Sequence, residues 1–532
     1  MQSVNLAALM VSQCTDRDQQ LALVIPPSVG DFTSASSITY GQLRRRIAQL
    51  QRGLARLGLV PGDRVVMLSP LGPDFFALAL ALLASGQVLV FLDGRLDRKR
   101  ALAVLRAARP RAIVSVRQVL RLWPLLPVLW GTKRIITDAA TSGTALGTTP
   151  LEALMIEGPD MPEVALQPPD RSALLSFTSG TTGRPKGADR THGILLAQHN
   201  ALAGHAPDRA GEIDMPCFPA VVLHNLSVGL TTVLPPIDLR QPGAADPARV
   251  LAAIRHFGVN SMSGAPAFMA RLASHLDPSP HEGMRRVLIG GAPVSRALGR
   301  GLLRAFPGAC AEAVYGSTEA EPMTSVTLEE LVATPGHGYL VGRRAPVADL
   351  RLVELPEIAP PLGVSGLDPF TVPTGQDGEV LVRGPHVNQT YVGDDEAVRR
   401  FKVRDPDGSL WHRTVDVARL DPEGRYWLTG RVPDRVTHRG RVLQPFIVEA
   451  QLSEQLPDRV ALVAHAGAPE GELVVEGARS VADVRHALDA LGLPDLPVRT
   501  VASIPVDARH NSKIDRPALR ALLAAPSQKA LP

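Results

Sequence analysis

At 532 residues the chain is too long for one compact core, so a large domain or several fused lobes with a smaller unit is expected. Apolar residues make up 45% and charged residues 20%, an ordinary globular balance that excludes a disordered or fibrous chain. The 56 Lys and Arg against 52 Asp and Glu leave a net charge of only +4, which does not mark nucleic acid as a partner.

Cys14, Cys217 and Cys310 are far apart and lack a CxxC spacing, so neither a disulfide framework nor a zinc site is expected; they read as core thiols in a reducing, cytoplasmic compartment. The N-terminal MQSVNLAALMVSQC has no positive region before its apolar run, unlike a secretory signal. The apolar stretch from Phe75 to Leu92 is broken by Ser85, Gly86 and Gln87, which predicts a buried helix, a turn and a buried strand rather than a membrane span.

In chain order, TYGQLRRRIAQLQRGLARLGL (39–59) has apolar positions three and four apart and predicts a helix, and PGDRVVMLSP then gives a turn and a strand. RKRALAVLRAARPRAIVSV (98–116) repeats helix then strand. The same succession returns in DPARVLAAIRHFGVNSMSG (246–264), and RRVLIGG (285–291) is a strand ending in glycines. Such alternation predicts layered α/β structure with largely parallel strands. From Asp349 the texture changes to short alternating runs, GEVLVRG and GRYWLTG, suited to a β-rich lobe, with a Pro- and Gly-rich loop at 357–376. Beyond Arg431 about 100 residues carry their own signals, VADVRHALDALGL among them, enough for a small separate domain.

The strongest chemical signal is LLSFTSGTTGRPKGADRTH (174–192), an apolar strand running into Thr178, Ser179, Gly180, Thr181, Thr182 and Gly183, then Lys186. Glycines and small residues let backbone N–H groups approach phosphate oxygens, hydroxyls add donors, and the lysine adds charge. Pro185 before the lysine rules out a Walker A loop. A polar surface loop would need no such ordered string.

Together with four further segments, this run resembles the adenylate-forming superfamily of acyl-CoA synthetases, peptide-synthetase adenylation domains and luciferases, over nearly the whole chain. The other segments are AVYGSTEAEP (313–322), GEVLVRGPHVNQTY (378–391), WHRTVDVARLDPEGRYWLTGR (411–431) and PVDARHNSKIDR (505–516). The resemblance implies a large domain over residues 1–430, built of layered α/β subdomains and a β-rich lobe, with a small mobile α+β domain over 431–532. It implies ATP and Mg²⁺ as cofactors. Thr178 to Gly183 and Lys186 would hold phosphates, and Gly291, Tyr315, Gly316 and Thr318 the adenine and α-phosphate. Thr178 and Glu319 would hold the metal ion. Asp416 would take the ribose diol, with Val415 standing where that family usually has glycine. Arg431 would close the large domain, and Pro433 and Asp434 would form the hinge, the proline restricting it. Lys513 would be the mobile catalytic lysine; only six lysines occur in a chain that otherwise writes arginine, and two fall at motif positions.

Residues 211–272 resemble, in FP, TTVLPPID, ADP and SGAPAFM, the β-lactone synthetase subgroup of bacterial long-chain olefin biosynthesis, as does PVDARHNSKI. That likeness implies a long-chain β-hydroxy fatty acid, activated with ATP and closed to a β-lactone, and association with other enzymes of one pathway. His224, Asn225 and Gly264 are the expected pocket residues. Val221, Val222, Leu223, Leu226, Val228 and Leu230 would either line the acyl pocket or form a core helix. A fatty acyl-CoA ligase, with CoA as co-substrate, a fatty acyl-AMP ligase and a non-catalytic nucleotide-binding protein remain as alternatives.

Overall fold

The computed structural model describes residues 3–92, 98–138, 147–179, 185–205, 209–239, 241–277, 279–456, 458–477, 481–507 and 512–524. Two large sheets with helices between and outside them dominate it. The first is eight-stranded: Val88–Phe91, Arg64–Leu68, Ala112–Ser115 and Lys133–Ile136 run parallel beside Ser172–Ser179, and the antiparallel Pro185–Thr191 and Tyr391–Val392 form one edge. The second has 14 strands, among the described residues. Its parallel part includes Ile213–Pro216, Ser261–Gly264, Arg286–Gly290 and Cys310–Ser317, in that order.

Side-chain alternation explains the layering. In Arg64–Leu68, Val65 and Met67 face a core cluster that joins both sheets, whereas Val66 faces the outer cluster beneath the Arg98–Ala108 helix. Strands buried on both faces read as continuous apolar runs, as the sequence does here. Between the sheets lies the helix Pro73–Ala84, in which every residue from Phe75 onward is buried. The amphipathic Tyr40–Arg56 helix packs beside it, opened by a capping box between Thr39 and Gln42. The helix-then-strand readings at 39–68, 73–91, 98–115 and 247–264 all match observed elements.

One expectation is corrected, and the placement of the β-rich lobe is made specific. Cys310 is exposed rather than a core thiol, because it opens its strand at the sheet's end; Cys14 and Cys217 are buried. The β-rich run after Asp349 is continuous with the second sheet, since Tyr339–Arg344 pairs with both Ala320–Thr327 and Tyr426–Arg431. The C-terminal part carries a three-stranded sheet, Val460–His465, Ala468–Glu476 and Val498–Val501, with a core of its own.

A buried ion pair fixes the β-rich end. The Arg413 guanidinium donates to both oxygens of Glu379, at 2.6 Å in the shortest bond, and to the carbonyls of Pro356 and Glu357 at 2.8 Å each. It thereby pins the start of the 357–376 loop. Arg413→Met, by stranding the buried Glu379 carboxylate, should destabilise the protein by about 3–5 kcal/mol in chemical denaturation. The double variant Arg413→Met/Glu379→Leu should recover much of that loss.

Candidate active site

The phosphate-loop sequence lies on a hairpin: Ser172–Ser179 pairs antiparallel with Pro185–Thr191, with Thr178 opposite Lys186. Thr178 and Ser179 end the first strand, while Gly180, Thr181, Thr182 and Gly183 lie outside the described residues. Lys186 is buried, with its ammonium 3.4 Å above the centre of the Phe401 ring. Burial pulls its pKa down to about 8, and Glu319 is the leading opposing charge.

Cys310–Ser317 and Ala320–Thr327 form a second hairpin, whose two-residue tip is Thr318–Glu319. Sequence reasoning missed what surrounds this tip. The Tyr391 hydroxyl donates to Glu319 Oε1 at 3.3 Å, and the Asn388 N–H donates to the Glu319 carbonyl at 2.8 Å. The buried Lys402 ammonium donates to the carbonyl and to the side-chain oxygen of Asn388, 2.6 Å in each case. Burial pulls Lys402 down to about 7, against the pull of Glu319. His412, desolvated and beside Lys402, is driven well below its ordinary pKa and is neutral at pH 7. The signal for Lys402 was available: it is one of only six lysines in an arginine-rich chain.

Asp416 and Arg431 sit directly opposite one another on paired strands. Arg431 Nε donates to Asp416 Oδ1 at 2.9 Å, and the Tyr315 hydroxyl donates to Oδ2 at 2.8 Å. Burial, and then the Asp416 charge, raise Tyr315 well above an ordinary phenol. Val415 has φ +58°, the left-handed region that glycine would enter without strain. It is held there as the next residue's N–H donates to Thr414 Oγ1 at 3.1 Å and its own side chain packs near Tyr391 and Phe401.

Lys513 approaches from the C-terminal part. Its backbone forms a closed loop with Asp507, whose N–H donates to the Lys513 carbonyl at 2.7 Å and whose carboxylate accepts the Lys513 N–H at 2.8 Å. Ser512 Oγ accepts the N–H of Ala267 at 3.0 Å, in the first turn of the Pro266–Leu276 helix, whose own N-cap residue supplies no side-chain bond. Residues 508–511 of this motif lie outside the described set. Lys513 is exposed. Desolvation lowers its pKa, and Asp416, Asp507 and Glu319 oppose that shift. Pro433 lies in the short turn Val432–Asp434 that follows Arg431. Asp434 is buried and bound by Arg520 at 2.9 Å and Arg516 at 3.5 Å, both on the C-terminal helix Arg516–Ala524.

The expected pocket residues are placed less uniformly. His224 meets His199 with the two Nδ1 atoms 3.1 Å apart, one donating and one accepting. Burial and the neighbouring His199 push His224 down to about 3, so it is neutral. Asn225 is wholly buried and already engaged, donating to Asp214 at 2.7 Å and accepting from Arg209 at 3.2 Å. A Cβ on Gly264 would stand 2.8 Å from the Phe268 ring, so only glycine fits that strand end. Gly291, at φ +85°, directly follows the strand Arg286–Gly290, and Gly316 lies in the strand beside Tyr315. Val222, Leu223 and Leu226 pack into the cluster between the sheets as a core helix.

The site therefore gathers Lys186, Glu319, Tyr315, Asp416, Arg431 and Lys513 around one region, while Asn225 belongs to a separate buried network. Comparison with known proteins agrees in kind. Residues 13–392 match the AMP-binding enzyme family. An olefin beta-lactone synthetase of Stenotrophomonas maltophilia is 32% identical, with 99% of each chain covered, and one of Xanthomonas campestris is 30% identical over 96% of each. The solved anthranilate CoA ligase AuaEII, in complex with anthranoyl-AMP, superposes with a TM-score of 0.82 at 21% identity, covering 99% of this chain and 98% of that one. The chain belongs to the AMP-binding enzyme family and is an adenylate-forming ligase.

Proposed function

We propose that this enzyme activates a long-chain β-hydroxy fatty acid with ATP, releasing pyrophosphate, and closes the resulting acyl-adenylate to a β-lactone in the cytoplasm. The observation that supports the first half-reaction is the Asp416 carboxylate held between the Tyr315 hydroxyl and the Arg431 guanidinium, in a chain of the AMP-binding enzyme family. The lactone step rests on the sequence likeness to the olefin beta-lactone synthetases.

The residues fit a nucleotide and a hard cation. Asp416 presents both oxygens to donors, a phenol hydroxyl and a guanidinium, where a ribose diol would offer two hydroxyls. Glu319, whose Oε1 accepts from Tyr391, would be one ligand of Mg²⁺, and Thr178 is proposed as the second. When bound, the ion would neutralise phosphate charge. Lys186 would balance the phosphates from the strand side, and Tyr315 would offer its ring to the base. Lys513 would then stabilise charge developing between the attacking carboxylate and the leaving pyrophosphate, a task for a compact ammonium. In the second step the β-hydroxyl oxygen forms a bond to the acyl carbon, the acyl–phosphate bond breaks, AMP leaves with its electron pair, and the hydroxyl proton is released.

Around Glu319, Lys402 and Tyr391 are positioning residues: the first holds Asn388, which grips the Glu319 backbone, and the second holds the carboxylate. Tyr391 lies against Lys402, whose ammonium is 5.1 Å from its ring centre.

Lys513→Ala should lower the adenylation rate by about 10²–10³, measured as pyrophosphate release, while ATP affinity by calorimetry changes little. Mass spectrometry of the products from a β-hydroxy fatty acid and ATP should give the β-lactone; acyl-AMP alone, or a thioester when CoA is added, would refute the lactone step. Lys402→Met and Tyr391→Phe should each weaken Mn²⁺ binding in the presence of nucleotide by about tenfold, read by electron paramagnetic resonance, as expected for groups that orient a metal ligand.

A further inference from the structure

The near-neutral total charge conceals a strongly one-sided segment. Residues 98–137 contain ten Lys and Arg and no Asp or Glu, which leaves the rest of the chain at net −6. Arg98, Lys99, Arg106, Arg109, Arg111 and Arg121 of this segment are all exposed.

The same segment carries an apolar protrusion. Leu122, Leu125 and Trp130 are 54%, 69% and 61% exposed, and Pro124 and Pro127 between them are also exposed. Trp130 is the one exposed tryptophan of four: Trp411 and Trp427 are buried, and Trp123 is half-buried beneath Arg134. The protrusion is built, not slack. Leu120 and Leu129 are fully or nearly fully buried in the cluster that also holds Val104, Leu105 and Ala108 of the basic helix. Trp130 Nε1 donates to the Pro124 carbonyl at 3.3 Å, closing the loop. A common core thus fixes the apolar tip beside the cationic helix.

We infer that this face docks on an anionic lipid surface. Leucine and tryptophan side chains at the tip would enter the headgroup boundary, where an indole has an apolar body and a polar edge, while the surrounding arginines keep their charge at phosphate level. Lipid fits better than the polyanions that charge alone would allow. A nucleic-acid backbone rewards cations and hydrogen-bond donors and gives nothing to exposed leucines. No described helix is long and apolar enough to cross a membrane, so attachment is peripheral. Such docking would place the enzyme where long-chain acids partition, but it stands on the surface alone and does not depend on the lactone reading.

The test is co-sedimentation of the full chain with vesicles of phosphatidylglycerol and phosphatidylcholine in a one-to-two ratio, with phosphatidylcholine vesicles beside them. Binding should favour the anionic vesicles and weaken with salt, and Leu122→Asp/Leu125→Asp should reduce it by about tenfold with pyrophosphate release intact. Brominated acyl chains should quench wild-type fluorescence, and Trp130→Phe should abolish that quenching. Absence of binding at low salt overturns the assignment, as does binding without quenching. Equal binding by the aspartate variant also overturns it and would reassign the face to an acidic protein or nucleic acid.

Discussion

Two carboxylates, Glu319 and Asp416, carry the electrostatics of the site. Glu319, at a hairpin tip, opposes the desolvation of three lysines that arrive from different parts of the chain: Lys186 from the edge of the eight-stranded sheet, Lys402 from a strand of the second sheet, and Lys513 from the C-terminal part. Each ammonium loses hydration on approaching the site, and the shared negative charge is a common reason for it to stay protonated. The hairpin is therefore an electrostatic junction between the two sheets and the terminal segment. A Glu319 substitution would remove a charge that all three cations share.

Asp416 plays the complementary part on the second sheet. The strand register sets it opposite Arg431, and a bulge after Val417 together with the left-handed Val415 turns its carboxylate toward Tyr315. A glycine would reach that conformation freely; valine is kept there by the packing around Tyr391 and Phe401, the same aromatic pair that lies against Lys402 and Lys186. Backbone geometry at the Asp416 site is thus coupled to the lysine cluster through shared side chains.

What the sequence made legible follows from the range of the interactions. The helix at 40–56 and the buried helix-and-strand unit at 73–91 are written in local periodicity, so they could be read directly. Motif residues such as Tyr315, Asp416 and Lys513 were recognisable because their neighbours in sequence identify them. The continuity of the β-rich run with the second sheet depends on Tyr339–Arg344 pairing with strands on either side of it, which no local pattern encodes. Asn225 looked like a pocket residue from its position, yet Asp214, Arg209 and Ser261, distant in sequence, make it part of a buried polar network. The cationic block at 98–137 was hidden for the opposite reason, because charge was summed over a chain whose remainder is acidic.

The scarcity of lysine also acquires a physical meaning. Arginine serves the surface and the fixed ion pairs, such as Arg413 with Glu379, where a planar fork matches a carboxylate and its charge is permanent. Lys402 has three donors; two meet the oxygens of Asn388, and the ammonium lies near the Tyr391 ring, an enclosure too small for a guanidinium with five donors to satisfy. Lys186, seated directly over a phenyl ring, is equally confined. Lys186 and Lys402 are lysines because a compact cation suits a crowded site, and a permanent fork would leave buried donors without partners there.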